Sequence, residues 1–201
     1  MLEILILFAG GALIVCGRTS LVVVAYVVIA SVATWSQLPA STSTLAVSLL
    51  VVSALLKLGV APVGVWLFAS RNAEARDLRP ALTIPFRLLI VLAFAAAAKV
   101  AGSMTGFAPF PSIDVGIYVV LCALGMLVLQ RSLLANLLGL LALGEGVTTA
   151  GSAFAPTLPE SIELGATFDI LVVTFIGLAI ARAFLVHNPL LDIESLRRLR
   201  G

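Results

Sequence analysis

Charge is what this chain has least of. Only 11% of its 201 residues are Asp, Glu, Lys or Arg, against about 25% in an ordinary soluble domain. It has one histidine, His187, and two cysteines, Cys16 and Cys122. Each cysteine sits alone in an apolar stretch, where it reads as small apolar filling. Neither a disulfide framework nor a metal site is expected from that spacing. Iron–sulfur or nickel chemistry would need a Cys or His cluster that is not here. The polar residues are too few for a separate soluble domain. No repeat of 20–50 residues is visible, and the apolar runs do not alternate in period two as barrel strands would. The net charge of +2 gives no sign of a nucleic-acid partner. The first residues lack a basic n-region and carry Glu3 instead, so this stretch reads as a retained helix rather than a cleaved signal.

What remains is apolar: 61% hydrophobic residues and a mean hydropathy of +1.19. So much apolar surface needs a nonpolar solvent, and runs of about 20 such residues are long enough to cross a bilayer core as helices. The expected fold is all-α, a polytopic membrane protein of seven transmembrane helices over residues 2–16, 19–36, 44–70, 81–103, 113–130, 132–155 and 161–186. Short linkers punctuate them, with turns at Gly17-Arg18 and Gln130-Arg131 and longer joins at 37–42, 71–80, 105–111 and 156–159.

Basic residues set the expected orientation. Arg18, then Arg71, Arg76 and Arg79, then Arg131, fall in alternate loops, and Arg182, Arg197, Arg198 and Arg200 close the series. The intervening loops and the N-terminus contain no Lys or Arg. This alternation places the N-terminus outside and the C-terminus in the cytoplasm, and it requires an odd number of spans. The tail from Pro189 to Gly201 has Leu190, Ile193 and Leu196 at helical spacing among charged residues. Two readings stay open for it: a solvated end at the headgroups, or a docking segment for a partner.

A charge at mid-membrane costs at least about 2.5–3.5 kcal/mol on insertion scales, so it marks function or pairing. Lys57, Glu145 and Asp169 stand on three different helices. Each is about 13–14 residues, hence about 20 Å, from an arginine at the cytoplasmic end. Three ionisable groups at one depth are what a proton path in the membrane plane requires. Burial disfavours charge on each of them, and close together they become one coupled set. The plainer alternative is an interhelical ion pair that fixes packing. Glu163, at the outer mouth of the last span, is either interfacial charge or the lead from outside toward Asp169. Lys99 falls near the outer edge, where it can snorkel. Arg87, just after Pro85, is expected to be a snorkelling or lipid-facing group.

The helix around Glu145 is small-faced, with Gly139, Ala142, Gly144, Gly146, Thr148, Thr149 and Gly151. Such faces more often serve tight helix packing than a channel. Near Lys57, Pro62 removes the helical bond to residue 58 and should loosen the helix.

The order Gln130-Arg131-Ser132-Leu133-Leu134, Gly139-Leu140-Leu141 and Glu145, with the ending Leu191-Asp192-Ile193-Glu194-Ser195-Leu196, resembles the K subunit of bacterial complex I. Over the whole chain, Lys57 with Pro62, Arg71-Asn72, the Gln130-Arg131 turn, Glu145-Gly146, Glu163-Leu164-Gly165 with Asp169, and the Asp192 tail resemble the hydrogenase-4 component E family. One departure is that Gly144 stands where that family's glutamate is expected, with Glu145 in the place of the following Asn. The resemblance implies extra N-terminal helices (1–112), a K-like three-helix module (113–188) and a cytoplasmic tail (189–201). It further implies a non-catalytic membrane-arm subunit of a complex I-related respiratory complex, of the group 4 [NiFe]-hydrogenase type, in a bacterial or archaeal cytoplasmic membrane. Its partners would be antiporter-like membrane subunits, a quinone-site-like membrane subunit and soluble hydrogenase-like or other redox subunits. It would hold no cofactor of its own and would carry part of a proton or sodium path. A purely structural scaffold subunit is one alternative. A stand-alone small transporter is another, although internal repeats and matched broken helices, common in transporters, are not visible here.

Overall fold

The computed structural model describes residues 2–36, 44–72, 78, 80–105, 113–154 and 160–187. Almost all of them are helical: α1 (Leu2–Val15), α2 (Thr19–Ser36), α3 (Thr44–Leu55), a π-helical turn (Leu56–Val60), α4 (Ala61–Arg71), α5 (Ile84–Thr105), α6 (Ile113–Leu129), α7 (Leu133–Phe154) and α8 (Glu160–His187). The segment from α3 through the π turn to α4 is one continuous rod. Seven rods result, and their ends agree with the apolar runs of the sequence to about three residues, close to the ordinary uncertainty of helix ends. Among the described residues, three helical stretches are long and apolar enough to cross a membrane, Leu50–Arg71, Ile84–Ser103 and Leu133–Ser152, and α1, α2 and α6 contain shorter apolar ones.

The antiparallel pair α6 and α7 forms the centre, because small residues let the two backbones touch. A Cβ added at Gly116 would come within 2.5 Å of the Ala150 backbone nitrogen, and one at Gly146 within 2.8 Å of that of Val120. Gly139 meets the side chain of Leu127 in the same way. The helices α1 and α2 pack on this pair, so packing runs across the 112/113 boundary expected from the sequence. On one flank α5 lies against α1 and α6; on the other α8 lies against α7 and α4. The principal buried cluster gathers Leu13, Tyr26, Ile29, Val65, Met126, Leu134, Leu138 and Leu141 from five of these helices.

The arginine-bearing turns are tied together at one end. The Leu78 N–H donates to the Gly17 carbonyl at 2.8 Å, and the Ala81 N–H to that of Leu129 at 2.8 Å. Pro80 forms an isolated antiparallel bridge with Gln130. Arg87 belongs to this same knot. Its guanidinium donates to the Val15 carbonyl at 2.7 Å and to that of Ile14 at 3.3 Å. The expectation of a snorkelling or lipid-facing Arg87 is therefore corrected: only 5% of it is exposed. The cause is the C-terminus of α1, whose last carbonyls have no helical donor and carry the negative end of the helix dipole. Away from this knot, Lys99 is exposed, and its ammonium meets the Asp114 carboxylate at 2.6 Å.

Candidate functional site

The site begins with a backbone fault. Pro62 has no N–H for the Leu58 carbonyl, and its ring crowds that oxygen. The helix answers by widening: the Ala61 N–H reaches back five residues to the Leu56 carbonyl, the bond that defines a π turn. Lys57 sits inside this turn. Along the rod, Ser53, Lys57, Ala61, Val65 and Ala69 are all buried, four residues apart. A spacing of four drifts round an ordinary helix of 3.6 residues per turn. The wide turn absorbs part of that drift and holds Lys57 on the inward face.

Glu145 faces it from α7. The glycines on both sides let neighbouring helices close in. Gly146 lies against Val120 of α6, and Gly144 against Ile170 of α8, with a Cβ there 3.7 Å from the Ile170 side chain. Glu145 points between these contacts. Its Oε2 lies 3.6 Å from the Lys57 Nζ, with the Lys57 side chain 1% exposed and that of Glu145 0%. The Lys57 Nζ makes no hydrogen bond among the described residues. One turn on, the Thr149 hydroxyl donates to the Glu145 carbonyl at 2.7 Å.

A third polar group belongs here. Tyr26 of α2 is wholly buried, and its hydroxyl has no hydrogen-bond partner among the described residues. It lies within electrostatic range of Glu145. The chain has only two tyrosines. The other, Tyr118, donates its hydroxyl to the Leu7 carbonyl at 2.9 Å, as a buried phenol normally finds a partner. Sequence reasoning passed over Tyr26. The available signal was a phenol in an otherwise apolar run.

Lys57 and Glu145 thus meet. Asp169 does not join them. It is exposed on α8, whereas its neighbour Ile170 packs inward against Gly144. That contact puts Asp169 at the level of Glu145 along the bundle. A count along the chain gives no azimuth, and one residue along a helix turns the side chain by about 100°. Glu163 lies in α8, and its side chain is outside the described residues.

Chemically, the site is a buried acid–base pair. Removing two such ions from water costs several kcal/mol each, and their attraction offsets this only where geometry and hydrogen bonding are good. At 3.6 Å the pair is close but not directly hydrogen-bonded. Moving one proton from the ammonium to the carboxylate would turn it into a neutral amine and acid. Such a pair can therefore hold a proton in two places and respond to a nearby charge. Comparisons with protein-family models, curated proteins and solved structures found no match to this chain.

Proposed function

We propose that the chain is a membrane-embedded, non-catalytic subunit of a complex I-related respiratory complex of the group 4 [NiFe]-hydrogenase type, carrying part of a proton or sodium path through Lys57 and Glu145. The observation that carries this reading is the wholly buried Lys57–Glu145 pair, 3.6 Å apart, with Lys57 on a π turn. Ionisable residues inside transmembrane segments are costly and mark ion pathways or paired sites, and π turns recur at functional sites. The seven apolar rods and the shared end of the arginine-bearing turns support a multi-pass membrane chain with its N-terminus outside, and the resemblance supports a bacterial or archaeal cytoplasmic membrane. The resemblance to the component E family supports antiporter-like, quinone-site-like and soluble redox partners, with Asp169 and Glu163 as further stations of the path.

A scaffold role is the second reading, favoured by the close packing of Gly144 and Gly146 around Glu145. The deciding experiment is Glu145→Gln in the assembled complex. An ion path predicts that coupled ion uptake into vesicles falls about 100-fold or more while assembly persists, the scale on which positioned proton-transfer groups contribute. A scaffold predicts that ion movement follows the amount of assembled complex.

A further inference from the structure

The outer face of α8 presents an apolar stripe with one acid in it. Val172 is 39% exposed, Val173 38%, Ile176 55% and Ile180 43%. Asp169 shares this stripe, standing three and four residues before the two valines, and it too is exposed. Its level in the bundle is that of Glu145, because Ile170 packs on Gly144. An exposed carboxylate at that level faces hydrocarbon if nothing covers it, and hydrocarbon offers neither a cation nor a donor.

A second copy of this chain does not supply what is missing. A two-fold contact centred on the stripe would set Asp169 against its own copy, because such a contact uses the same patch on both sides. Among the described residues, the exposed arginines Arg18, Arg71, Arg131 and Arg182 lie at or near helix ends, and Lys99 is held by Asp114. None offers a cation at this level. We infer that the Asp169 face of α8 docks a membrane-embedded helix of a different chain, one that brings a lysine or arginine to the level of Asp169 and covers the valine–isoleucine stripe around it. The charge complement fixes the register of the two helices, and the apolar stripe provides the contact area.

This inference rests on the membrane reading above, and the test separates the two. The full-length chain is produced in its own host with a photo-crosslinking benzoylphenylalanine in place of Val173. A control probe replaces Leu92, which is 70% exposed on α5. Membranes are first washed with alkaline carbonate: release of the chain overturns the membrane reading itself. If the chain is retained, light should join the Val173 probe, and not the Leu92 probe, to one other protein. The joined peptide, sequenced by mass spectrometry, should be an apolar helix containing Lys or Arg. Asp169→Lys should lower the yield by about fivefold or more, since like charges across an interface reject partners. Asp169→Glu should keep it, and an acid in place of the partner's cation should restore it in the Asp169→Lys chain. Retention with crosslinks to lipid alone, to a second copy of this chain, or at a yield indifferent to Asp169→Lys would overturn the docking face and leave the membrane reading standing.

Discussion

Gly144 and Ile170 are in contact, a Cβ at the glycine falling 3.7 Å from the isoleucine side chain, and this single contact sets Glu145 and Asp169 at one level on different faces of the bundle. One acid meets a lysine inside; the other is exposed. The same depth therefore carries two unlike environments, and substitutions at the two positions should behave differently.

Breaking the inner pair from one side leaves a buried charge without its counterpart. Lys57→Met or Glu145→Leu alone should lower stability by about 3–5 kcal/mol, whereas the double substitution should recover most of it, because well-packed apolar groups commonly replace a buried pair at little or no net loss. Thermal unfolding in mild detergent of the two single variants and the double one measures this coupling directly. Two losses that simply add would mean that the side chains do not interact.

Removing the Tyr26 hydroxyl should cost the fold little. It makes no hydrogen bond with the described residues, and deleting a buried polar atom without a partner is near neutral or mildly stabilising. The expected change for Tyr26→Phe is within about 0.5 kcal/mol in unfolding, with a fall in coupled ion movement if the phenol takes part in the path. A large loss of stability instead would reveal a hydrogen bond, direct or through water, on which the core depends.

The glycines of α7 should rank by what they touch. Gly146→Ala places its methyl 2.8 Å from the Val120 backbone nitrogen. Backbone cannot swing aside as a side chain can, so overpacking of about 1–3 kcal/mol is expected. Gly144→Ala meets only side-chain carbons at ordinary van der Waals distance, and the better helix propensity of alanine, about 1 kcal/mol, should leave it neutral or stabilising. Melting temperatures that ranked the two in the opposite order would contradict the described crossing of α6 and α7.

Arg87→Leu should loosen the arginine-bearing end of the bundle. It removes the donors to the Ile14 and Val15 carbonyls and leaves those acceptors to be desolvated, a loss of about 1–3 kcal/mol. Amide hydrogen exchange should quicken over the α1–α2 turn before it does so in α6 and α7. Uniform quickening along the chain would mean that Arg87 serves general stability rather than this end.

Helix number and helix bounds were legible in the sequence because they rest on one-dimensional signals. Apolar runs, the prolines and glycines between them and the alternating arginines need no knowledge of neighbours. The common level of Lys57, Glu145 and Asp169 was legible for the same reason, as depth is counted along a helix; which of them meet was not. Azimuth was not legible. Whether residue 169 or 170 of α8 turns inward depends on how that helix rotates against α7, and the rotation is set by where Gly144 lets a side chain approach. Arg87 was misjudged for a related reason: its partners, the Ile14 and Val15 carbonyls, are more than 70 positions away in the chain. Tyr26 went unmarked because a phenol in an apolar run counts as apolar until the absence of a partner for its hydroxyl can be seen.

The π turn has a consequence for how the third rod can evolve. A π turn is an α-helix with one residue too many, and the widening absorbs the surplus, so the helical halves on either side keep nearly the faces they would have without it. Deleting Leu58 or Gly59 would therefore close the wide turn to an ordinary one and leave a continuous apolar helix whose two halves still face their present neighbours. What would go is the turn itself, a change that composition and hydropathy do not register.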